Sequence, residues 1–313
     1  MKSVMITGCA GFIGSYVTEE FLNAGYKVHG VDKMTYAGSE KNMYIIRGHP
    51  NFSFSPACIT LSSHMKLIAE EHRVDWIINL AAETHVDNSI ENSDVFIETN
   101  IGGTRSLLEA CRETGAKLLH FSTDEVYGVS RNRSFTERSN LDPKNPYSAT
   151  KAAADHMIEA YRNTYGVEYI IVRPSNNFGI RQHDEKFLPT IIRKLKADEK
   201  IPVYGNGNQI REWTHAQDTA KATRFILENS EMNEIYNISS GFHTENINVV
   251  QKVCDILGRR IEDCVEYVED RPGHDFKYSI TPRKLNNLGH IVSSNFDYKL
   301  KGILDYEFSS IRN

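Results

Sequence analysis

The chain has 313 residues, about twice an average domain, with 40% hydrophobic and 25% charged side chains and a formal charge of -5. Without a concentrated basic stripe this acidic balance argues against a nucleic-acid partner, yet individual Lys or Arg residues can still hold a small anionic ligand. Five cysteines (Cys9, Cys58, Cys111, Cys254, Cys264) with no C-x-x-C, and no His pair at zincin spacing, predict free thiols and no metal; no apolar run reaches signal-peptide or membrane length, so a cytoplasmic protein is expected.

Strand-like and helical runs alternate from the N-terminus. "KSVMIT" leads through a glycine turn to a helix over about 12–23, "YKVHGVD" and "NFSFSP" read as strands, and a helix is expected near 62–71. "VDWIINLAA" follows as a strand, helical spacing covers 93–114, and "AKLLHFS", a helix over about 146–165 and "VEYIIVRP" continue the rhythm. This alternation predicts an α/β fold of Rossmann type, a doubly wound parallel sheet. Beyond Pro174 the chain turns to Gly- and Asn-rich loops such as "SNNFG" and "YGNGNQ", which places a smaller domain there. A helix near 217–228 and the strand "IYNIS" are expected to return to the first unit. The boundaries are therefore 1–175 with about 212–240 for the first domain, and 176–211 with 241–313 for the second.

"ITGCAGFIG" joins the first strand to the first helix with Gly8, Gly11 and Gly14 at G-x-x-G-x-x-G spacing and Phe12 and Ile13 between them. Glycine lets the backbone turn and approach a pyrophosphate at the positive helix N-terminus. Asp32 ends the second strand about twenty residues on, where a carboxylate accepts ribose hydroxyls and repels a 2′-phosphate. Together they predict NAD rather than NADP.

"NPYSATKAAADH" sets Tyr147 and Lys151 one helical turn apart on one face. An ammonium there is expected to lower the phenol's pKa and make Tyr147 a base for a sugar hydroxyl, while Lys151 also holds the nicotinamide ribose. "HFSTDEVYG" adds Thr123 and two adjacent acids, Asp124 and Glu125, directly after a strand. Adjacent carboxylates in a poorly hydrated pocket raise one another's pKa, so one acid can start protonated and the other ionised.

The glycine loop, the strand-end Thr123 and the Tyr-x-x-x-Lys pair resemble the extended short-chain dehydrogenase/reductase superfamily. "AAETHVDNSI", "STDEVYG", "RPSNNFG", "DEKFLP", "YGNGNQIREW" and "EDRPGHD" then look like the successive motifs of dTDP-glucose 4,6-dehydratases, in order, up to about residue 275. The resemblance implies a smaller C-terminal nucleotide-sugar-binding domain and transient oxidation at C4 with Tyr147 as base, helped by Lys151 and Thr123. Glu125 then removes the C5 proton, Asp124 protonates the departing 6-hydroxyl, and hydride returns to C6. It further implies cofactor contacts from Lys33, Cys58, Ile59, Ala81, Ala82, Thr99 and Asn177. Substrate contacts fall to Thr84 and Asn176 with Asn177, Lys186 and Arg211 near the sugar and pyrophosphate, Tyr204 and His274 near the base and its ribose, and Arg271 near the nucleotide.

In the family two helices form a four-helix dimer interface. A homodimer is therefore expected through the helices over 95–108 and 152–161. Departures concern the substrate. Cys58 stands where the family offers an Asp to the adenine amino group, and a thiol is a poor acceptor. Arg181 and His183 enter the loop facing the sugar where a Pro is usual after the glycine, Asn88 replaces a common Arg, and the stretch between Gly128 and Tyr147 is short. Two other readings compete: a dehydratase of another nucleotide sugar, such as UDP-glucose or UDP-N-acetylglucosamine, and a non-catalytic NAD-binding module.

Overall fold

A computed structural model describes residues 2–130, 133–269 and 277–309. The first half follows the expected alternation: β1 (Ser3–Thr7), α1 (Phe12–Asn23), β2 (Lys27–Asp32), α2 (Glu40–Arg47), β3 (Phe52–Pro56), α3 (Ser62–Glu71) and β4 (Trp76–Asn79). α4 (Val86–Glu91), α5 (Asp94–Phe96), α6 (Thr104–Thr114), β5 (Lys117–Phe121), α7 (Pro146–Tyr165) and β6 (Tyr169–Pro174) complete it. The short runs "SVMIT", "WIIN" and "YIIVRP" are buried at every position because helices cover both faces of the sheet.

The chain continues as β7 (Asn177–Phe178), α8 (Phe187–Lys196), β8 (Ile201–Tyr204), β9 (Ile210–Glu212), β10 (Thr214–His215), α9 (Ala216–Asn229) and β11 (Glu234–Ile238). Then come β12 (His243–Glu245), α10 (Asn246–Ile256), α11 (Ile261–Cys264), β13 (Val265–Val268), α12 (Arg283–Leu288) and α13 (Phe296–Ser309).

Seven strands form one sheet in the order β11-β6-β5-β4-β1-β2-β3, every pair parallel. All carboxyl ends therefore lie along one edge, and the order reverses between β1 and β4, where a doubly wound sheet opens its binding crevice. On one face α1 and α9 contribute Val17, Phe21, Ala220 and Ile226 to the core; on the other α3, α6 and α7 contribute Met65, Leu107 and Ile158. A third core gathers Phe178, Leu188, Ile191, Trp213, Val250, Phe296 and Leu300 from α8, α10, α13 and the loops between. Parallel pairs β7–β10 and β8–β13 and the antiparallel pair β9–β12 lie outside the main sheet.

Three features differ from expectation. Helix α2 was not anticipated, since half of its eight residues are polar or charged and only Asn42, Met43 and Ile46 are buried. The helical spacing over 93–114 is not one helix: Ile97–Gly103 takes π geometry between α5 and α6. There Gly103 lets Ile59 pack against the backbone, where a Cβ would fall 2.4 Å from Ile59 Cδ1. Residues 283–292, assigned from sequence to the smaller domain, pack instead on the first unit through Leu285, Leu288 and Val292.

Candidate active site

The turn after β1 is shaped by what glycine omits. Gly8 has φ +70°, and a Cβ there would meet Ala81 N at 2.7 Å; one on Gly14 would fall 1.9 Å from Gly8 O. The backbone is thus pressed into a cradle at the N-terminus of α1, with Gly11 as the N-cap and Phe12 and Ile13 partly buried beneath it. Asp32 closes the cradle from β2. Its Oδ2 accepts from Ala10 N (3.0 Å) and its Oδ1 from Met34 N (2.8 Å), and burial raises its pKa while these amides pull it down. Each oxygen keeps a second lone pair for a ribose hydroxyl. These residues fit a dinucleotide.

Lys33 is exposed beside Asp32. Half-buried Cys58 has its Sγ 3.2 Å from Thr60 Oγ1, and Ile59 is buried. Ala81 N donates to Thr7 Oγ1 (3.3 Å), Ala82 is half-buried, and Thr99 lies half-buried on the π segment. All five cysteines are free, and among the described residues no group of three or more His, Cys, Asp or Glu is arranged to hold a metal.

The acids stand at the end of β5. Thr123 caps a single 3₁₀ turn, Asp124–Tyr127, with Oγ1 accepting from Glu125 N (3.3 Å) and donating to Asp124 Oδ1 (3.4 Å). Asp124 is buried, and its Oδ2 has no hydrogen-bond partner among the described residues. Burial first, then the charges of Glu125 and Glu212, hold its pKa well above the usual carboxylate range, against weaker opposition from Arg211 and Thr123. Glu125 is only half-buried. Asn145 Nδ2 donates to its Oε2 (3.2 Å), and the same Asn145 caps α7 through a capping box with Ser148, Pro146 taking the first helical position.

Tyr147 and Lys151 are both buried on α7, but the expected effect of one on the other is absent. Burial, then the negative charges of Glu125 and Asp124, push the Tyr147 phenol far up, opposed by a hydrogen bond with Thr123. Lys151 does not lower it. Its Nζ donates to Phe121 O (2.6 Å) and lies 3.4 Å from His120 Nε2, and burial brings its pKa down to about 8.

The second unit supplies the opposite wall. Asn176 and Asn177 follow β6, with Asn177 Nδ2 on Ser175 O (2.8 Å) and its buried Oδ1 unpartnered among the described residues. Lys186 is the N-cap residue of α8, Tyr204 ends β8, and Arg211 sits on β9 with its guanidinium 5.1 Å from the Tyr278 ring centre. Thr84 is exposed beyond β4. Arg271 and His274 lie outside the described residues. Arg181 pairs with Glu19 (2.7 Å) and lies 4.2 Å over the Tyr16 ring, which ties its loop to α1. His183 instead meets the Tyr36 ring edge-on at 5.8 Å.

Sequence reasoning missed several members. Glu212, buried on β9 with His243 Nε2 3.3 Å from its Oε2, adds a third carboxylate near Asp124; only its position next to Arg211 marked it. Asn100 links the loop after β4 to α7, accepting from Glu83 N (2.9 Å) and donating to Thr150 Oγ1 (3.0 Å). A cleft of about 1020 Å³ at the other end of the sheet, where Tyr169 and Glu234 start β6 and β11, contains none of these groups.

A family model for the NAD dependent epimerase/dehydratase family matches residues 4–239. The chain belongs to this family. Within it the chain is 40% identical over 306 residues to the Low-salt glycan biosynthesis protein Agl12 of Haloferax volcanii, covering 97% of each. It is 37% identical to the dTDP-glucose 4,6-dehydratase of Xanthomonas campestris pv. campestris, covering 98% of this chain and 93% of that one. The crystal structure of DesIV, a dTDP-glucose 4,6-dehydratase from Streptomyces venezuelae with NAD bound, superposes with a TM-score of 0.93 at 35% identity over 99% of this chain and 98% of that one.

Proposed function

We propose that the protein is an NAD-dependent nucleotide-sugar 4,6-dehydratase, a hydro-lyase that converts dTDP-glucose to dTDP-4-keto-6-deoxyglucose. The observation that carries this reading is the unequal acid pair: Asp124 buried with its pKa held well above the usual carboxylate range, Glu125 beside it half-buried and bonded to the helix cap Asn145. An epimerisation needs no such pair, whereas losing water across two carbons needs one base and one acid in opposite starting states. Full-length likeness to dTDP-glucose 4,6-dehydratases supports the sugar nucleotide.

NAD would be held by the glycine cradle and Asp32, with Lys33, Cys58, Ile59, Ala81, Ala82, Thr99, Asn177 and Lys151 as further contacts, and would supply a hydride acceptor for C4 and the same hydride for C6. Burial and the neighbouring acids hold the Tyr147 phenol proton, so Tyr147 serves as base only once ionised in the loaded enzyme; the phenolate then takes the proton of the 4-hydroxyl as that bond becomes a ketone. The ketone acidifies C5. Glu125 removes the C5 proton, Asp124 gives its own to the 6-hydroxyl, and water leaves; Glu125 then returns its proton to C5. The Thr123 hydroxyl, in contact with both Asp124 and Tyr147, is the route by which the proton left on Tyr147 restores Asp124. Thr84, Asn176, Asn177, Lys186 and Arg211 hold the sugar and pyrophosphate, Tyr204 and His274 the nucleoside, and Arg271 the nucleotide.

The working form is a homodimer through the helical segments 95–108 and 152–161. Val95, Ile97 and Tyr165, exposed on this helical layer, support a covered face. Five unpaired cysteines support a cytoplasmic location, and among the described residues no helix is long and apolar enough to cross a membrane.

Glu125→Gln tests the base directly. With dTDP-glucose this variant should reduce bound NAD, seen by its absorbance, yet lose water at least about 100-fold more slowly than wild type. Dehydration at the wild-type rate would remove Glu125 from the mechanism.

A further inference from the structure

His120 has no part in the chemistry above, yet it is buried directly behind Lys151. Thr7, Asn79 and His120 are register partners on the neighbouring strands β1, β4 and β5, so their side chains stand in one row on one face of the sheet. The row is hydrogen-bonded throughout. Thr7 Oγ1 and Asn79 Oδ1 are 2.7 Å apart, Asn79 Nδ2 and His120 Nδ1 3.1 Å, and His120 Nε2 and Lys151 Nζ 3.4 Å; all four residues are at most 3% exposed.

A neutral imidazole offers one donor and one acceptor, so such a row has two consistent directions. With Lys151 uncharged, the Thr7 hydroxyl donates to Asn79, the Asn79 amide to Nδ1, and Nε2–H to the amine lone pair. With Lys151 charged, the ammonium donates to Nε2, Nδ1–H to the amide oxygen, and the turned-over amide to the Thr7 hydroxyl. Lys151 donates to Phe121 O in both. We propose that His120 is the positioning residue of Lys151, holding its amine at the end of β5 in both protonation states while Asn79 and Thr7 fix the ring from behind.

The groups around the row favour a neutral imidazole. Burial, followed by the charges of Lys151 on α7 and Arg173 on β6, drives the His120 pKa far down. Asp155, one turn along α7, is the charge that favours the ammonium, and Tyr147, Asp124 and Glu125 stand on the substrate side. Because His120 stays neutral, the Lys151 ammonium has an acceptor that adds no counter-charge. Lys151 can therefore titrate near neutrality while the amine stays in place.

The kinetic consequence rests on the dehydratase reading; the position of Lys151 does not. Lysine labelled with 13C at Cε and 15N at Nζ, with the Lys151 resonance assigned by Lys151→Met, gives its titration midpoint by NMR in the substrate-free protein, expected near 8 in the wild type. His120→Asn keeps an amide opposite Asn79 but leaves nothing at the Nε2 position; the charged amine loses an acceptor and the midpoint falls by about 1 unit or more. His120→Gln restores a polar group there and brings the midpoint back to within about 0.3 units of wild type. The basic limb of NAD reduction by dTDP-glucose moves with these midpoints, since activity that needs the ammonium is lost as pH rises through its pKa. An unmoved midpoint in His120→Asn, or an equal fall in both variants, overturns the proposal. If His120→Asn does not fold, Asn79→Ala carries the prediction as a fall of about half a unit, and an unchanged midpoint there overturns it equally. Should dTDP-glucose fail to reduce NAD in the wild type, the dehydratase reading fails while the NMR titration still decides the role of His120.

Discussion

The surroundings that raise the Asp124 pKa suit the acid role proposed for it and act against stability. Its folded pKa lies above the value near 3.9 of an unfolded chain, so its favourable contribution to folding is complete below that value and is lost as pH rises through the folded one. At neutral pH the site therefore opposes folding, and Asp124→Asn should raise the melting temperature, by roughly 2 °C per kcal/mol recovered in a chain of this size. The same variant should lose water about 100-fold more slowly while C5 proton exchange with solvent continues. A lower melting temperature would show that the carboxylate is stabilising, and absence of exchange would place Asp124 in an earlier step.

Helix α7 joins the fold to the site. Asn145 satisfies the first turn through its side-chain carbonyl oxygen and reaches Glu125 through its amide nitrogen, so one side chain sets both the helix start and the placement of the proposed base. Asn145→Ala should cost about 1 kcal/mol of stability, as cap removal usually does, and lower kcat by more than this loss explains. A change in melting temperature with kcat intact would separate the two roles. At this scale the sequence was most readable where helical spacing decides: α1 and α7 begin and end where the pattern over 12–23 and 146–165 predicts. It was least readable where a distant partner decides. The π segment accompanies Gly103 lying over Ile59, and the Arg181 side chain is directed by Glu19, far off in sequence on α1. Lys151 was legible as a neighbour of Tyr147, but its orientation toward Phe121 and His120 depends on strand register that spacing along one helix does not encode.

The whole molecule brings the loops after β1, β2, β4, β5 and β6 to one edge, which is why residues as far apart as Gly8 and Asn177 address one crevice. Several of its imidazoles are kept neutral by their surroundings. Burial lowers His29 and His215 to about 4 and holds His120 well below its ordinary range, so the unfolded chain, with histidines near 6.5, binds more protons from about 6.5 down to about 4. Melting temperature should consequently fall as pH drops from about 6.5 toward 4, and replacing His29 by Gln should flatten that slope. A pH-independent melting temperature across this window would show that these rings charge freely in the fold. The central claim is the loss of water from a nucleotide sugar. The purified protein should be incubated with NAD and, separately, dTDP-glucose, UDP-glucose and UDP-N-acetylglucosamine, each followed by mass spectrometry. Loss of one water from dTDP-glucose with NAD regenerated is the predicted result; an unchanged dTDP-glucose, with NAD bound or with water lost only from a UDP-sugar, would contradict it.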